Sequence, residues 1–236
     1  MPPLHDLVIR TVAEYLVGDH QSLLGNLIRV SSRFYGLRDI FISQMELSDK
    51  QSHVVYHAKP YGWNKVRSMN LSECSWIVDL SALKNLHMLE IFECSGITDV
   101  SPLCNVHTLF FQSCSEIKDV SALGGVHSLT LIDLRRVEDI SALGNVYYLR
   151  LEDINTISDV SALWKVHTLE ILGCNGINDI SFLTGVKDLK VHGCDSIQKY
   201  SGLTDIPCLS IYCCRNVPNI RHIYLDKKLI KIGSSL

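Results

Sequence analysis

Histidines recur at a fixed interval in this chain: His87, His107, His127 and His167 stand in one file, with Tyr147 and Lys187 at other places in it. If successive copies stack at strand spacing, neighbouring members lie about 5 Å apart. A column of imidazoles could ligate a metal or sense pH, because histidine titrates near neutrality. It could equally be the polar rim of a strand that was copied many times. No carboxylate recurs beside the file as a metal ligand set would require. Stacked imidazoles resist charging together, so acid is expected to loosen the structure that carries them.

Aspartates keep the same interval at Asp79, Asp99, Asp119, Asp139, Asp159 and Asp179. Six carboxylates in a file suit a cation such as calcium. Each is also followed by Val, Ile or Leu and then Ser, a pattern that suits a turn whose backbone N–H groups are capped by short side-chain oxygens. Cysteines at 74, 94, 114, 174, 194 and 214 share a third phase, in which Leu134 and Ile154 also occur. Replacement by Leu and Ile marks a small apolar slot, where a free thiol behaves as a small hydrophobe. Disulfide and zinc readings are therefore weak, and the adjacent pair Cys213-Cys214 cannot form a Cys-x-x-Cys claw. The chain shows no phosphate loop, nucleophile elbow or His-Glu-x-x-His pattern. Neither an enzyme nor a cofactor is expected.

What must position these files is a unit of 20 residues, repeated without insertion. One copy reads Asp99-Val100-Ser101, Leu103, Val106, Leu109, Phe111, Cys114, Ile117. The apolar–polar–apolar step at 109, 110 and 111 is strand alternation. So short a strand is stable only when equivalent strands stack beside it as a parallel sheet, with the remaining apolar positions closing the coil behind. A repeat of this kind is a solenoid. About eight turns are expected, in a right-handed coil running from about residue 59 to 220, the first of them degenerate. Lys227, Lys228 and Lys231 in residues 221–236 suit a polar terminal cap.

With 47 % hydrophobic residues in 236, the chain has ample material for a continuous core. A net charge of −3 argues against a nucleic-acid partner, and the lack of a run of about 18 apolar residues argues against a membrane span. Residues Met1 to Arg10 lack a basic start followed by an apolar run, so no signal peptide is expected. Nine cysteines then point to a reducing, cytoplasmic location.

Residues 1–58 do not repeat. Leu4, Leu7, Val8, Val12, Tyr15 and Leu16 fall at helical spacing, Gly18-Asp19 interrupts, and Ser22 can cap a second helix through Val30. Between 42 and 60 the patterning is poor, with Val54-Val55-Tyr56 as a candidate irregular strand. Leu4-His5-Asp6-Leu7, Val12, Tyr15-Leu16, Leu23-Leu24, Leu27 and Val30-Ser31-Ser32-Arg33-Phe34-Tyr35 resemble an F-box over about residues 3–42, with His5 where that family usually has Pro. The resemblance implies docking on a Skp-family adaptor of cullin ubiquitin ligases through Leu4, Leu7, Leu24, Val30 and Phe34. Internal helix packing by the same five residues is the alternative. Leu109-x-Phe111-x-x-Cys114-x-x-Ile117-x-Asp119 resembles the cysteine-containing leucine-rich repeats that often follow F-boxes. The short back segment resembles the Asp-Ile-Ser-x-Leu type of bacterial surface proteins, and repeats reading like Asp-Val-Ser-Ala-Leu-Gly-Asn-Val-His are similar to those encoded by some large DNA viruses. The expected fold class is thus an α/β leucine-rich-repeat solenoid capped by an N-terminal helical module.

Buried phases of the repeat are nearly constant, whereas the outward strand positions vary, as a recognition surface requires. The candidate partner-binding residues on the concave sheet are Glu90, Phe92, Glu93, Phe110, Gln112, Thr130, Asp133, Tyr148, Arg150, Glu152, Glu170, Lys190, His192 and Tyr212. Glu73, Asp153 and Asp188 belong to the same stripe, which then carries eight acids against Arg150 and Lys190. Such a stripe would steer toward a basic segment of a protein target. Two functions are open: a ubiquitin-ligase substrate adaptor, or a scaffold whose helices serve only as a cap. A metal- or pH-responsive module is a third.

Overall fold

The computed structural model describes the backbone of Gln44–Leu47 and residues 67–215. Nine strands form one sheet in chain order: β1 Gln44–Leu47, β2 Ser68–Ser72, β3 Met88–Phe92, β4 Thr108–Gln112, β5 Ser128–Ile132, β6 Tyr148–Glu152, β7 Thr168–Leu172, β8 Asp188–His192 and β9 Cys208–Tyr212. All neighbours pair in parallel, and from β2 to β9 each residue faces the one twenty further on, as Leu109 faces Leu129. Equal rungs follow from equal repeats, because an insertion in any copy would break that register.

Each coil turns seven side chains inward. In one rung they are Leu89, Ile91, Cys94, Ile97, Val100, Leu103 and Val106, all within 1 % of complete burial. The first two are separated by strand alternation. The others recur every third residue, the spacing at which side chains of a 3-10 turn eclipse one another. A short 3-10 segment forms there in most rungs, including Ser101–Leu103, Ser121–Gly125 and Ser161–Lys165. Rung on rung, these residues build one continuous core. Fully burying one such Leu or Ile contributes about 1.5–3 kcal/mol.

Two devices turn the chain at the corners. Aspartate Oδ1 accepts the backbone N–H of the serine two residues on, at 2.8 Å for Asp99, Asp119, Asp139 and Asp159. The carboxylates of this file therefore act as turn caps. At the other end of the strand the chain enters the left-handed region, at Glu73, Glu93, Ser113, Asp133, Asp153 and Cys213 (φ 51 to 56°) and at Gly173 and Gly193. A Cβ disfavours this conformation. The ladder offsets that strain, because Glu93 N–H donates to Gln112 O at 2.9 Å and Asp133 N–H to Glu152 O at 2.9 Å.

One expectation meets the structure differently. Strand β1 lies within residues 1–58, assigned from sequence to the helical module, and it extends the sheet. Its register with β2, Gln44 opposite Ser68, makes this first rung four residues longer than the rest. Leu4, Leu7, Leu24, Val30 and Phe34, the Val54–Tyr56 segment and the 221–236 cap lie outside the described residues.

Candidate interaction surface

Strand alternation leaves three outward positions per rung, such as Met88, Glu90 and Phe92 on β3. Glu90, Phe92, Phe110, Gln112, Thr130, Tyr148, Arg150, Glu152, Glu170, Lys190, His192 and Tyr212 all occupy these positions. Glu93 and Asp133, expected on the strands, instead stand one residue beyond them at the left-handed bend, as do Glu73 and Asp153. They edge the sheet face rather than cover it. Alternation applied strictly would also have picked out Met88, Ile132 and Leu172, all half-buried and facing outward.

The stripe is less acidic than a list of its residues implies. Arg150 donates to Glu152 Oε2 from both Nε (3.0 Å) and Nη2 (2.6 Å), and its Nη1 stands 3.6 Å from Glu170 Oε2. Lys190 Nζ reaches Glu170 Oε1 at 2.7 Å. Glu170 is only 9 % exposed, the one charged residue in the buried set of the described residues. Its carboxylate is buried because two cations from the rungs on either side cover it. Burial, and then the charge of Glu170 and a hydrogen bond to it, push the Tyr148 phenol above its ordinary range. Asp133 is held low by Arg135, whose Nε donates at 2.9 Å, and further by Ser113.

On the first rungs the face is aromatic and unneutralised. Phe92 and Phe110, diagonal neighbours on β3 and β4, lie with ring centroids 5.0 Å apart. In the column of Phe110, Glu90 Oε2 accepts the Asn70 side-chain amide at 3.1 Å.

The histidine file is a ring stack at the strand entrances. Centroids are 4.5 Å apart for His87–His107 and His107–His127, 4.8 Å for His127–Tyr147 and 4.4 Å for Tyr147–His167. His107 Nδ1 lies 3.1 Å from Thr108 Oγ1. Desolvation, then the neighbouring His127 and His87, hold the His107 imidazole below its ordinary value. Among the described residues no group of three or more His, Cys, Asp or Glu is placed to hold a metal ion.

From Cys74 to Cys194 the cysteine file is buried, while Cys214 is half-buried. Cys94 Sγ donates to Phe92 O at 3.3 Å, and Cys174 Sγ to Leu172 O at 3.4 Å. Burial pushes the thiols of Cys94 and Cys194 up to about 12 and that of Cys174 to about 11. Protonated thiols at this depth are packing groups, since only the thiolate attacks or ligates.

No protein-family model matches the chain, and no curated protein sequence matches it. Among solved structures, the leucine-rich repeat domain of the type III effector XopL aligns with a TM-score of 0.54 at 12 % identity, over 92 % of this chain and 90 % of that one. Internalin C2 from Listeria monocytogenes aligns at 22 % identity over 79 % of this chain and 76 % of its own, with a TM-score of 0.44. The functional domain of InlJ from Listeria monocytogenes, described as including a cysteine ladder, aligns at 14 % identity over 64 % and 49 %, with a TM-score of 0.27. In fold, the chain is similar to leucine-rich-repeat domains.

Proposed function

We propose that this chain is a non-enzymatic protein-interaction module that binds a partner on the outward face of its sheet. The observation that carries this reading is the contrast between the two sides of one strand. Positions 89, 91, 109, 111, 129 and 131 are all Leu, Ile or Phe and buried, while between them stand Glu90, Phe110 and Thr130. Half-buried aromatics on such a face, with Phe92 beside Phe110, supply the kind of anchor on which interfaces concentrate their energy.

The finer form of the proposal is a substrate-recognition subunit of a Skp–cullin–F-box ubiquitin ligase in a reducing, cytoplasmic compartment. The F-box-like residues at about 3–42 would hold the adaptor and the sheet would hold the target. Gel filtration of the full chain mixed with a Skp-family adaptor tests it. Co-migration that is lost when Leu24 and Phe34 are replaced by Ala supports the adaptor role. Separate elution assigns the protein to the second reading, a scaffold whose N-terminal residues only cap the coil. Strand β1 favours that second reading, because Gln44–Leu47 extends the sheet directly after the F-box-like stretch.

A further inference from the structure

The outward face divides into two regions of different charge. Around β6 to β8 the acids Glu152 and Glu170 meet bases, with Arg150 on both and Lys190 on Glu170. Around β3 they do not. Glu90 is bonded only to the neutral Asn70 amide, Glu73 and Glu93 are exposed at the bend beside it, and among the described residues none of the three is paired with Lys or Arg. Distance keeps the regions apart. Three rungs separate Glu90 from Arg150, about 14 Å at strand spacing, which exceeds the Debye length of about 8 Å at physiological salt. Phe92 and Phe110 fill the space among these acids with half-buried rings.

We propose, building on the interaction reading above, that the docking site is the part of the sheet face on β3 and β4, and that it takes a partner segment with Lys or Arg beside a large apolar side chain. The apolar group packs on Phe92 and Phe110, and the cations meet Glu73, Glu90 and Glu93. The Arg150–Glu170–Lys190 cluster is no competitor, because its charges already satisfy one another and a ligand would have to break those pairs. Charge complementarity of this kind raises the association rate and selects against acidic partners.

The test is selection of random peptides of about twelve residues, displayed on phage, against the full chain. Enriched peptides should pair Lys or Arg with a large apolar residue. Their synthetic forms should lose about tenfold in affinity, or about 1.4 kcal/mol, against the double variant Glu90→Gln, Glu93→Gln. They should change less than about twofold against Asp188→Asn, a change on the other region of the face, and should weaken with added salt. Matching melting curves establish that the variants fold. Peptides that lack basic residues, or that ignore Glu90→Gln, Glu93→Gln but respond to Arg150→Gln, overturn the placement and leave the sheet as the binding face. Failure to enrich any peptide that depends on an outward sheet residue overturns both.

Discussion

Lys190 Nζ and Glu170 Oε1 lie 2.7 Å apart on adjacent strands, and from the rung on the other side Arg150 Nη1 stands 3.6 Å from the second oxygen of the same carboxylate. Two cations therefore converge on one buried anion from opposite sides. The repeat makes this possible, because outward positions twenty residues apart become neighbours in a column.

Replacement of Glu170 by Gln keeps the shape and removes the charge. Arg150 and Lys190 are about a third and a half exposed, so water compensates them in part. The expected loss is about 1 kcal/mol, well below the ~3–5 kcal/mol of a fully buried pair broken on one side. Tyr148 provides a second readout. Its phenol is raised by burial first and by Glu170 second, so in Glu170→Gln it should titrate lower than in the wild type yet above the free phenol. Ultraviolet phenolate absorbance across alkaline pH checks this, and an unchanged curve would contradict the pairing.

The ring stack predicts a loss of stability in mild acid. His107 is held below its ordinary value by desolvation and by His127 and His87, so the unfolded chain binds the proton more readily than the folded one. Stability is then complete above the unfolded value of about 6.5 and declines as pH falls from there toward the lower folded value. The melting temperature should drop over that interval, and His107→Gln should flatten the drop. A drop of equal size in the variant would place its origin elsewhere.

Turn capping acts at lower pH with the same sign. The Ser121 hydroxyl and backbone N–H favour the charged form of Asp119 and hold its carboxyl below the ordinary range. This contribution is present above the unfolded value of about 3.9 and is lost as pH falls through the folded one. Asp119→Ala should therefore lower the melting temperature at neutral pH, and its effect should shrink progressively as pH falls below about 3.9. If the carboxylate file bound calcium instead, chelation at neutral pH would lower the wild-type melting temperature, and no such shift is expected.

The inward phase is tested by truncation. Leu129 is completely buried, and Leu129→Ala should cost about 2–5 kcal/mol in urea denaturation. Its neighbour Thr130 faces outward, and Thr130→Ala should stay within about 0.5 kcal/mol. Similar losses at the two positions would invert the assignment of faces.

Much of this architecture is legible from the residues alone. Leu109, Leu129 and Leu149 at equal intervals imply parallel rungs in register, because only a coil brings them into one file. Aspartate before Ser121 implies a capped turn, and Leu134 in the cysteine phase implies an internal slot. These are local or periodic properties, and every copy of the repeat states them again. The acidity of the face was not legible in the same way. Counting residues sets eight acids against two bases, but charge depends on which side chains meet. Register places Arg150 between Glu152 and Glu170, and the left-handed bend carries Glu93 and Asp133 off the strands. The longer first rung, with Gln44 opposite Ser68, likewise follows from strand pairing and has no periodic signal. A repeat is specified by its own spacing; an ion pair or an irregular rung is specified by its neighbours in space, and those neighbours exist only once the chain has coiled.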